Sequence, residues 1–230
     1  MIHYHGTPIT PHRERQKMAG KHFCVSYARR DDAEWCITHG QSVMWDNGAF
    51  SFYRLRAVIP DWKDFYNFVE PNLAHPHWAV VPDVIDGGEI DNLDLAKNWP
   101  HRRDCAAVVW HLGESFDQLG RLLDLGFGRL CFGSSGSYWQ VGSEIWERRC
   151  DEAFNWLAMR GQMPWVHMLR GLSLCGDRWP FASADSTNVA QNHSSNGVCP
   201  ERMARRIDAI QNPISWNLRA TQMELLDVGK

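Results

Sequence analysis

The stretch that decides the fold is residues 106–133, AAVVWHLGESFDQLGRLLDLGFGRLCFG, because it contains two apolar runs separated by a segment of helical period. The runs Ala106–His111 and Arg129–Gly133 have the length and composition of buried strands. A capping-box pattern at Ser115 predicts the start of a helix, and Gly126 is typical of the residue that follows a helix end. We therefore predict one complete β–α–β unit here.

The same alternation of short apolar runs and helical segments continues along the whole chain. It predicts eight strands, at Ile2–His5, His22–Tyr27, Ser42–Asp46, Trp78–Asp83, Ala106–His111, Arg129–Gly133, Trp165–Arg170 and Phe181–Asp185. Eight units in 230 residues average about 29 residues each, near the lower size limit of a (β/α)8 barrel. A doubly wound sheet is the competing architecture, but no glycine-rich phosphate loop follows the first strand. We predict a compact α/β protein of the TIM-like (β/α)8 class, with residues 1–230 forming a single domain.

Three further helices are predicted from their end signals. Asp31, with a glutamate three residues later, predicts a helix start, and Gly40 predicts its end. A long amphipathic helix is predicted at residues 143–160. A last helix is predicted to begin at Pro200 and to stop before Pro213.

Composition limits the class of protein. Hydrophobic residues make up 44% of the chain and charged residues 22%, which is typical of a globular protein. No apolar run approaches the roughly 18 residues of a membrane helix, and the first twenty residues lack a signal-peptide core. We therefore expect a soluble, cytoplasmic protein with no membrane partner. The seven cysteines contain no C-x-x-C pair, so neither a disulfide framework nor a zinc ribbon is indicated.

Polar residues close nearly every predicted strand, at the positions where barrel enzymes carry their chemistry. Two of them, Asp46 and Asp185, follow apolar segments and have small neighbours, so their carboxylates are expected to be partly desolvated. A helix cap or a turn is the alternative role for any one such aspartate. Paired carboxylates at a barrel mouth suit displacement at a sugar carbon, with one as nucleophile and the other handling protons.

Five segments occur in the order of the functional blocks of tRNA-guanine transglycosylases. They are WDNGAF at 45–50, VPDV at 81–84, FGSSG at 132–136, MLRG at 168–171 and ADS at 184–186. The chain is most similar to the short phage and bacterial relatives that insert 7-deazaguanine bases into DNA. The resemblance extends over residues 22–190.

The resemblance implies a role for each matching residue. Asp185 would be the nucleophile at C1′ of the target nucleotide, and Asp46 would handle protons. Asp83 and Gly133 match the base-contacting positions of the family, and the full set of predicted substrate-binding residues is Asp83, Asp86, His111, Gly133, Ser134, Arg170 and Phe50. Trp110 and Tyr138 are alternatives to Phe50 for stacking on the base. Asp83 would recognise the base, with Asp86 as a helper, and Gly133 would contact the base through its backbone. His111 stands where the family has a glutamine, so base selection can differ.

The resemblance also implies the partners. They are a nucleic acid and a free 7-deazaguanine base. The C-x-C-x2-C zinc site of the tRNA enzymes is missing, since only Cys199 and His193 lie in that region. Either zinc is absent or Cys175 joins these two from a distance, and we expect neither metal nor cofactor. The C-terminal part that holds a folded tRNA is also missing, which favours DNA over tRNA. The oligomeric state stays open.

Other functions compete with the transglycosylase interpretation. A set formed by His3, His5, His111 and Asp185, with His167 nearby, is similar to the metal-ligand layout of amidohydrolase barrels, in which zinc activates water. A nucleobase-binding protein without catalysis is a second alternative. A glycosylase, in which water completes the reaction in place of a base, uses the same two carboxylates.

Overall fold

Eight parallel strands close into a barrel in which each strand pairs with its neighbours in chain order and the last pairs with the first. The computed structural model describes residues 1–58, 61–194 and 197–218. The strands are β1 (Ile2–Gly6), β2 (His22–Ser26), β3 (Ser42–Asp46), β4 (Trp78–Val80), β5 (Ala106–His111), β6 (Arg129–Gly133), β7 (Val166–Met168) and β8 (Ser183–Ser186). The predicted (β/α)8 barrel is confirmed.

Side chains alternate between the inside and the outside of the barrel along each strand, as the period of two requires. The inward side chains of the lower and middle barrel pack against one another. They are Tyr4, Cys24, Met44, Trp78, Val80, Ala107, Val109 and Cys131. The outward positions, such as Phe23, Val43 and Val108, pack against the helices in a second, larger cluster.

A polar pair is buried among the inward side chains. The hydroxyl of Tyr4 accepts a hydrogen bond from the indole Nε1 of Trp78 at 2.9 Å, and Ser42 Oγ lies 3.3 Å away. Both aromatic side chains are almost fully buried. Tyr4 therefore satisfies an indole N–H that water does not reach.

Four strands are shorter than predicted: β2 and β8 by one residue each, and β4 and β7 by three residues each. β4 ends at Val80 and not at Asp83, because Pro82 has no backbone N–H with which to continue a ladder. β7 ends at Met168, and Arg170, which the sequence places in this strand, has a φ of +60°. That left-handed conformation is incompatible with an extended strand.

Nine α-helices lie within the described residues and alternate with the strands. They are α1 (His12–Gln16), α2 (Ala33–His39), α3 (Ala49–Leu55), α4 (Trp62–Val69), α5 (Glu89–Lys97), α6 (Phe116–Asp124), α7 (Glu144–Met159), α8 (Asn188–Asn192) and α9 (Pro200–Asp208). Short 3-10 helices occur at Glu70–Asn72, Arg103–Cys105, Gly136–Tyr138 and Leu172–Leu174. In the part of the chain that the structure describes, no helix has the length and apolar character needed to span a membrane.

The end signals of α6 and α7 act as predicted. Ser115 Oγ accepts a hydrogen bond from the backbone N–H of Gln118 at 3.1 Å, which caps α6. Ser143 caps α7 in the same way. Gly126 and Gly161 follow these helices with φ values of +74° and +71°, a conformation that glycine adopts without strain.

The predicted start of α2 needs correction. Asp31 does not cap α2, because Asp32 occupies the position before the helix. The Asp32 carboxylate instead accepts a hydrogen bond from the backbone N–H of Ile9 at 3.0 Å and pairs with Arg15. α9 begins at Pro200 and ends at Asp208, before Pro213, as predicted.

Candidate active site

A cavity of about 540 Å³ lies at the carboxyl ends of the strands. This volume is within the range of small-molecule sites. Inward-facing residues at strand ends and residues of the following loops line it. They include Ser26, Asp46, Asn47, Phe50, Arg54, Asp83, His111, Gly133, Ser134, Arg170 and Asp185. The structure thus brings both predicted catalytic aspartates and all but one of the predicted substrate-binding residues to one cavity.

Asp185 lies on β8, and its carboxylate is held by two donors. Oδ1 accepts a hydrogen bond from the backbone N–H of Arg170 at 2.8 Å and lies 3.2 Å from Nε2 of His167. Burial acts to raise the pKa of Asp185, but the hydrogen bonds from His167 and Arg170 outweigh it, and the pKa is lowered. The carboxylate is therefore ionised at neutral pH and available as a nucleophile.

Asp46 ends β3, and its environment raises its pKa, whereas the environment of Asp185 lowers the pKa of that residue. Burial, together with the negative charges of Asp185 and Asp83, raises the pKa of Asp46 to about 7. The nearby hydroxyl of Ser26 and the backbone N–H of Gly48 offset this only in part. Near neutral pH, Asp46 can therefore both give and accept a proton.

Asp83 is buried and fixed by two side chains. Asn47 Nδ2 donates to Asp83 Oδ1 at 2.9 Å, and His111 Nε2 lies 3.0 Å from Asp83 Oδ2. Asn47 is itself held, because its Nδ2 also donates to the carbonyl of Val81 and its Oδ1 accepts from the backbone N–H of Ala49. Each carboxylate oxygen keeps a lone pair for a ligand in the cavity.

His111 connects Asp83 to the far side of the cavity. Its Nδ1 lies 3.2 Å from Ser135 Oγ, and its backbone N–H donates to Glu114. Burial acts to lower the pKa of His111, but the hydrogen bond and charge of Asp83 outweigh it, and the pKa is raised. His111 pairs in register with Gly133, where a Cβ would lie 2.7 Å from the imidazole Nδ1. Only glycine fits beside this histidine.

Arg170 joins three parts of the cavity wall. Its guanidinium lies 4.0 Å from the centre of the Phe50 ring, and its Nη2 donates to the carbonyl of Ser134 at 2.9 Å. Trp146 Nε1 donates to Ser134 Oγ at 2.9 Å and fixes that side chain. Arg170, Phe50 and Ser134 therefore form one side of the mouth.

Asp86 is the predicted substrate-binding residue that the structure leaves outside the cavity. It is exposed in a turn closed by a hydrogen bond from the backbone N–H of Gly87 to the carbonyl of Val84 at 3.2 Å. The turn directs Asp86 to solvent. The expected role as a helper of Asp83 is therefore not supported.

The histidines of the amidohydrolase alternative do not converge with the carboxylate. His3 and His5 lie on the outer face of β1, since Tyr4 between them faces the interior. His5 Nε2 lies 2.9 Å from Oδ1 of Asp208 on α9, and His3 Nε2 lies 2.9 Å from Ser186 Oγ. Both imidazoles therefore point away from the cavity, and neither belongs to its lining.

Among the described residues, one group of side chains has metal-ligand spacing. It consists of His75, Asp104 and Cys105, which lie outside the cavity. His3, His5, His111 and Asp185 do not form such a group. The geometry of the cavity therefore gives no support to the metal-dependent alternative.

His167 and Asn47 hold the carboxylates of Asp185 and Asp83, and the sequence does not predict this role for either of them. The sequence points to His167 only as a metal ligand and to Asn47 only as a polar residue after a strand. Their partners, Asp185 and Asp83, lie 18 and 36 residues away along the chain. The period of two places His167 on the inner face of β7 beside β8, and that is the signal that points to Asp185.

No protein-family model matches the chain, and no curated protein matches it. The geometry and electrostatics of the cavity are therefore the basis for assigning a function.

Proposed function

We propose that the chain is a nucleobase transglycosylase that exchanges guanine for a 7-deazaguanine derivative in nucleic acid, with DNA favoured over tRNA. The observation that carries the proposal is that Asp46 and Asp185, from β3 and β8, line one cavity. Their surroundings act in opposite directions, lowering the pKa of Asp185 and raising that of Asp46 to about 7. Two carboxylates tuned apart in this way suit a nucleophile and an acid–base group.

In the first half of the reaction, the Asp185 carboxylate attacks C1′ of the target nucleotide. The C1′–N9 bond breaks, and its electron pair goes to the departing guanine, which takes a proton from the protonated form of Asp46. The product is an ester between Asp185 and C1′. The target base must first leave the helix stack, because C1′ is otherwise inaccessible.

In the second half, the ionised Asp46 accepts the N9 proton of the incoming base. N9 then attacks C1′, the bond from C1′ to the Asp185 oxygen breaks, and the carboxylate is regenerated. Two displacements at one carbon give net retention. The proton that leaves Asp46 in the first half returns to it in the second, so the site ends in its starting state.

Asp83 is the proposed base-recognition residue. Its carboxylate, held by Asn47 and His111, accepts hydrogen bonds from N1–H and the exocyclic amine of guanine, an edge that 7-deazaguanines share. Gly133 and Ser134 line the cavity near His111 and meet the other edge of the base. Phe50 lines the mouth, where its ring would contact the base.

The test is incorporation of label. Purified protein is incubated with radiolabelled guanine and, in separate reactions, duplex DNA, single-stranded DNA or tRNA. The proposal predicts that a polymer, with DNA favoured, gains label, and that the Asp185→Asn variant gives none. Release of guanine without incorporation would instead indicate a glycosylase, and binding without either reaction would indicate a non-catalytic protein.

A further inference from the structure

The charges of the cavity are separated by depth. The carboxylates of Asp46, Asp83 and Asp185 lie inside the barrel end, where little of each is exposed. Arg54 on α3 and Arg170 after β7 line the same cavity and are exposed at its mouth. A ligand in this cavity therefore meets negative charge at the bottom and positive charge at the rim.

The two arginines share one aromatic ring. The guanidinium carbon of Arg170 lies 4.0 Å from the centre of the Phe50 ring, and that of Arg54 lies 5.9 Å from it. Partial desolvation at the cavity rim lowers the pKa of Arg170; the charge of Arg54 acts in the same direction, whereas the charges of Asp185 and Asp46 act against it. The two like charges are thus near enough to repel each other.

No carboxylate in the described part of the chain forms an ion pair with either of these arginines. The arginines that do form ion pairs there are Arg13, Arg15, Arg29, Arg102, Arg149, Arg160, Arg178 and Arg205. Two adjacent cations that are engaged in no ion pair form a favourable site for an anion.

We propose that Arg54 and Arg170 form a subsite for a phosphodiester group adjacent to the target nucleotide, an inference that rests on the proposed function. A nucleotide matches the cavity because its base and sugar are uncharged and its phosphate is anionic. The carboxylates below exclude an anion from the bottom of the cavity, so the phosphate is held at the rim. Guanidinium groups suit this role because they bind phosphate oxygens through paired N–H donors.

The subsite gives the protein a preference for nucleotides within a polymer over free nucleosides. It also makes binding dependent on salt, because each neutralised phosphate releases counterions. Arg54 is the residue to test, since the Arg170 side chain also donates to the carbonyl of Ser134 and packs on Phe50, so its loss would disturb the cavity wall.

The experiment measures binding of a fluorescent single-stranded guanine-containing oligonucleotide at several salt concentrations. For Arg54→Ala we expect a loss of affinity of about tenfold at low salt, as for one charge-assisted hydrogen bond. The slope of log affinity against log salt should fall in magnitude by roughly 0.7. Arg54→Lys should recover part of the affinity. Arg121→Ala, which removes an exposed arginine outside the cavity, is the matched control and should leave both quantities unchanged.

Competition by small ligands isolates the phosphate itself. Deoxyguanosine monophosphate should displace the oligonucleotide from the wild type better than deoxyguanosine does, and Arg54→Ala should remove this preference. Equal binding by Arg54→Ala and Arg121→Ala, with label incorporation by the wild type intact, would overturn the subsite and leave the proposed function standing. If the wild type binds no oligonucleotide and incorporates no label, both the subsite and the proposed function are overturned.

Discussion

Nε2 of His167 lies 3.2 Å from Oδ1 of Asp185, and it ends a chain of hydrogen bonds inside the barrel. Trp165 Nε1 donates to Ser183 Oγ at 3.0 Å, and that oxygen lies 2.8 Å from His167 Nδ1. Since the indole can only donate, the serine hydroxyl is free to donate to Nδ1, which leaves the proton of a neutral His167 on Nε2. The imidazole therefore donates to Asp185 and both orients the carboxylate and favours its ionised form.

The first prediction concerns this contact. His167→Asn removes the donor at Nε2, so the pKa of Asp185 should rise. We expect kcat at pH 7 to fall by about tenfold or more with KM unchanged, and the acid limb of the kcat–pH profile to move to higher pH than in the wild type. His167→Gln, which places an amide near the Nε2 position, should restore part of the activity. Loss of activity that is equal at every pH would indicate a structural role instead.

A second prediction uses the raised pKa of Asp46. The ordinary pKa of an aspartate in an unfolded chain is about 3.9, whereas that of Asp46 in the folded protein is about 7. Between these values the folded state binds more protons, so the free energy of unfolding falls as the pH rises from about 4 to about 7. The asparagine side chain of Asp46→Asn does not ionise, so the free energy of unfolding of this variant does not fall for this reason as the pH rises.

We therefore expect Asp46→Asn to lose most of its exchange activity. Its melting temperature should nevertheless be higher than that of the wild type, and the difference should be larger at pH 8 than at pH 5. Thermal unfolding followed by circular dichroism at both pH values measures this difference. Asp86→Asn removes an exposed carboxylate and is the control. A stability difference that does not change with pH would show that Asp46 is not held in a raised-pKa environment.

The third prediction separates two nearby aspartates. Asp83 is buried in the cavity wall and Asp86 faces solvent three residues later. Asp83→Asn should weaken binding of free guanine by roughly 10- to 100-fold, because hydrogen bonds to a charged acceptor are lost. Asp86→Asn should bind guanine as the wild type does. Calorimetry measures both affinities, and equal affinities of the two variants would remove Asp83 from base recognition.

A fourth prediction tests the barrel interior away from the cavity. Tyr4→Phe leaves the indole N–H of Trp78 buried without its acceptor, which should cost about 1–3 kcal/mol of unfolding free energy in urea denaturation. Exchange activity should persist under conditions in which the variant is folded. Tyr53→Phe alters an exposed tyrosine and should change stability by no more than about 0.5 kcal/mol. Equal stability of the two variants would contradict the role assigned to Tyr4.

The order and number of the strands could be predicted because a strand buried on both faces reads as a short apolar run. Asp46 and Asp185 could be found because carboxyl ends of barrel strands carry the chemistry. The end of β4 at Val80 and the end of β7 at Met168 could not be predicted, because they depend on the backbone conformation of the residues that follow. Helix α3, which carries Arg54, is absent from the predictions as well.

The partners of the site residues lie beyond local sequence patterns. The contacts from Asn47 to Asp83 and from His167 to Asp185 join different strands or loops, and no spacing rule along the chain identifies them. Asp86 shows the converse, because a turn of a few residues directs its carboxylate out of the site that its sequence position predicts for it.

The proposed mechanism requires that Asp185 becomes covalently bonded to C1′ of the target nucleotide. The most direct measurement is to mix the protein with guanine-containing DNA, quench with denaturant and locate any adduct by mass spectrometry of the digested protein. We expect an adduct on the peptide that contains Asp185, its absence in Asp185→Asn, and a loss of exchange of at least about 10⁴-fold in that variant. An adduct on another residue, or undiminished exchange by Asp185→Asn, would contradict it.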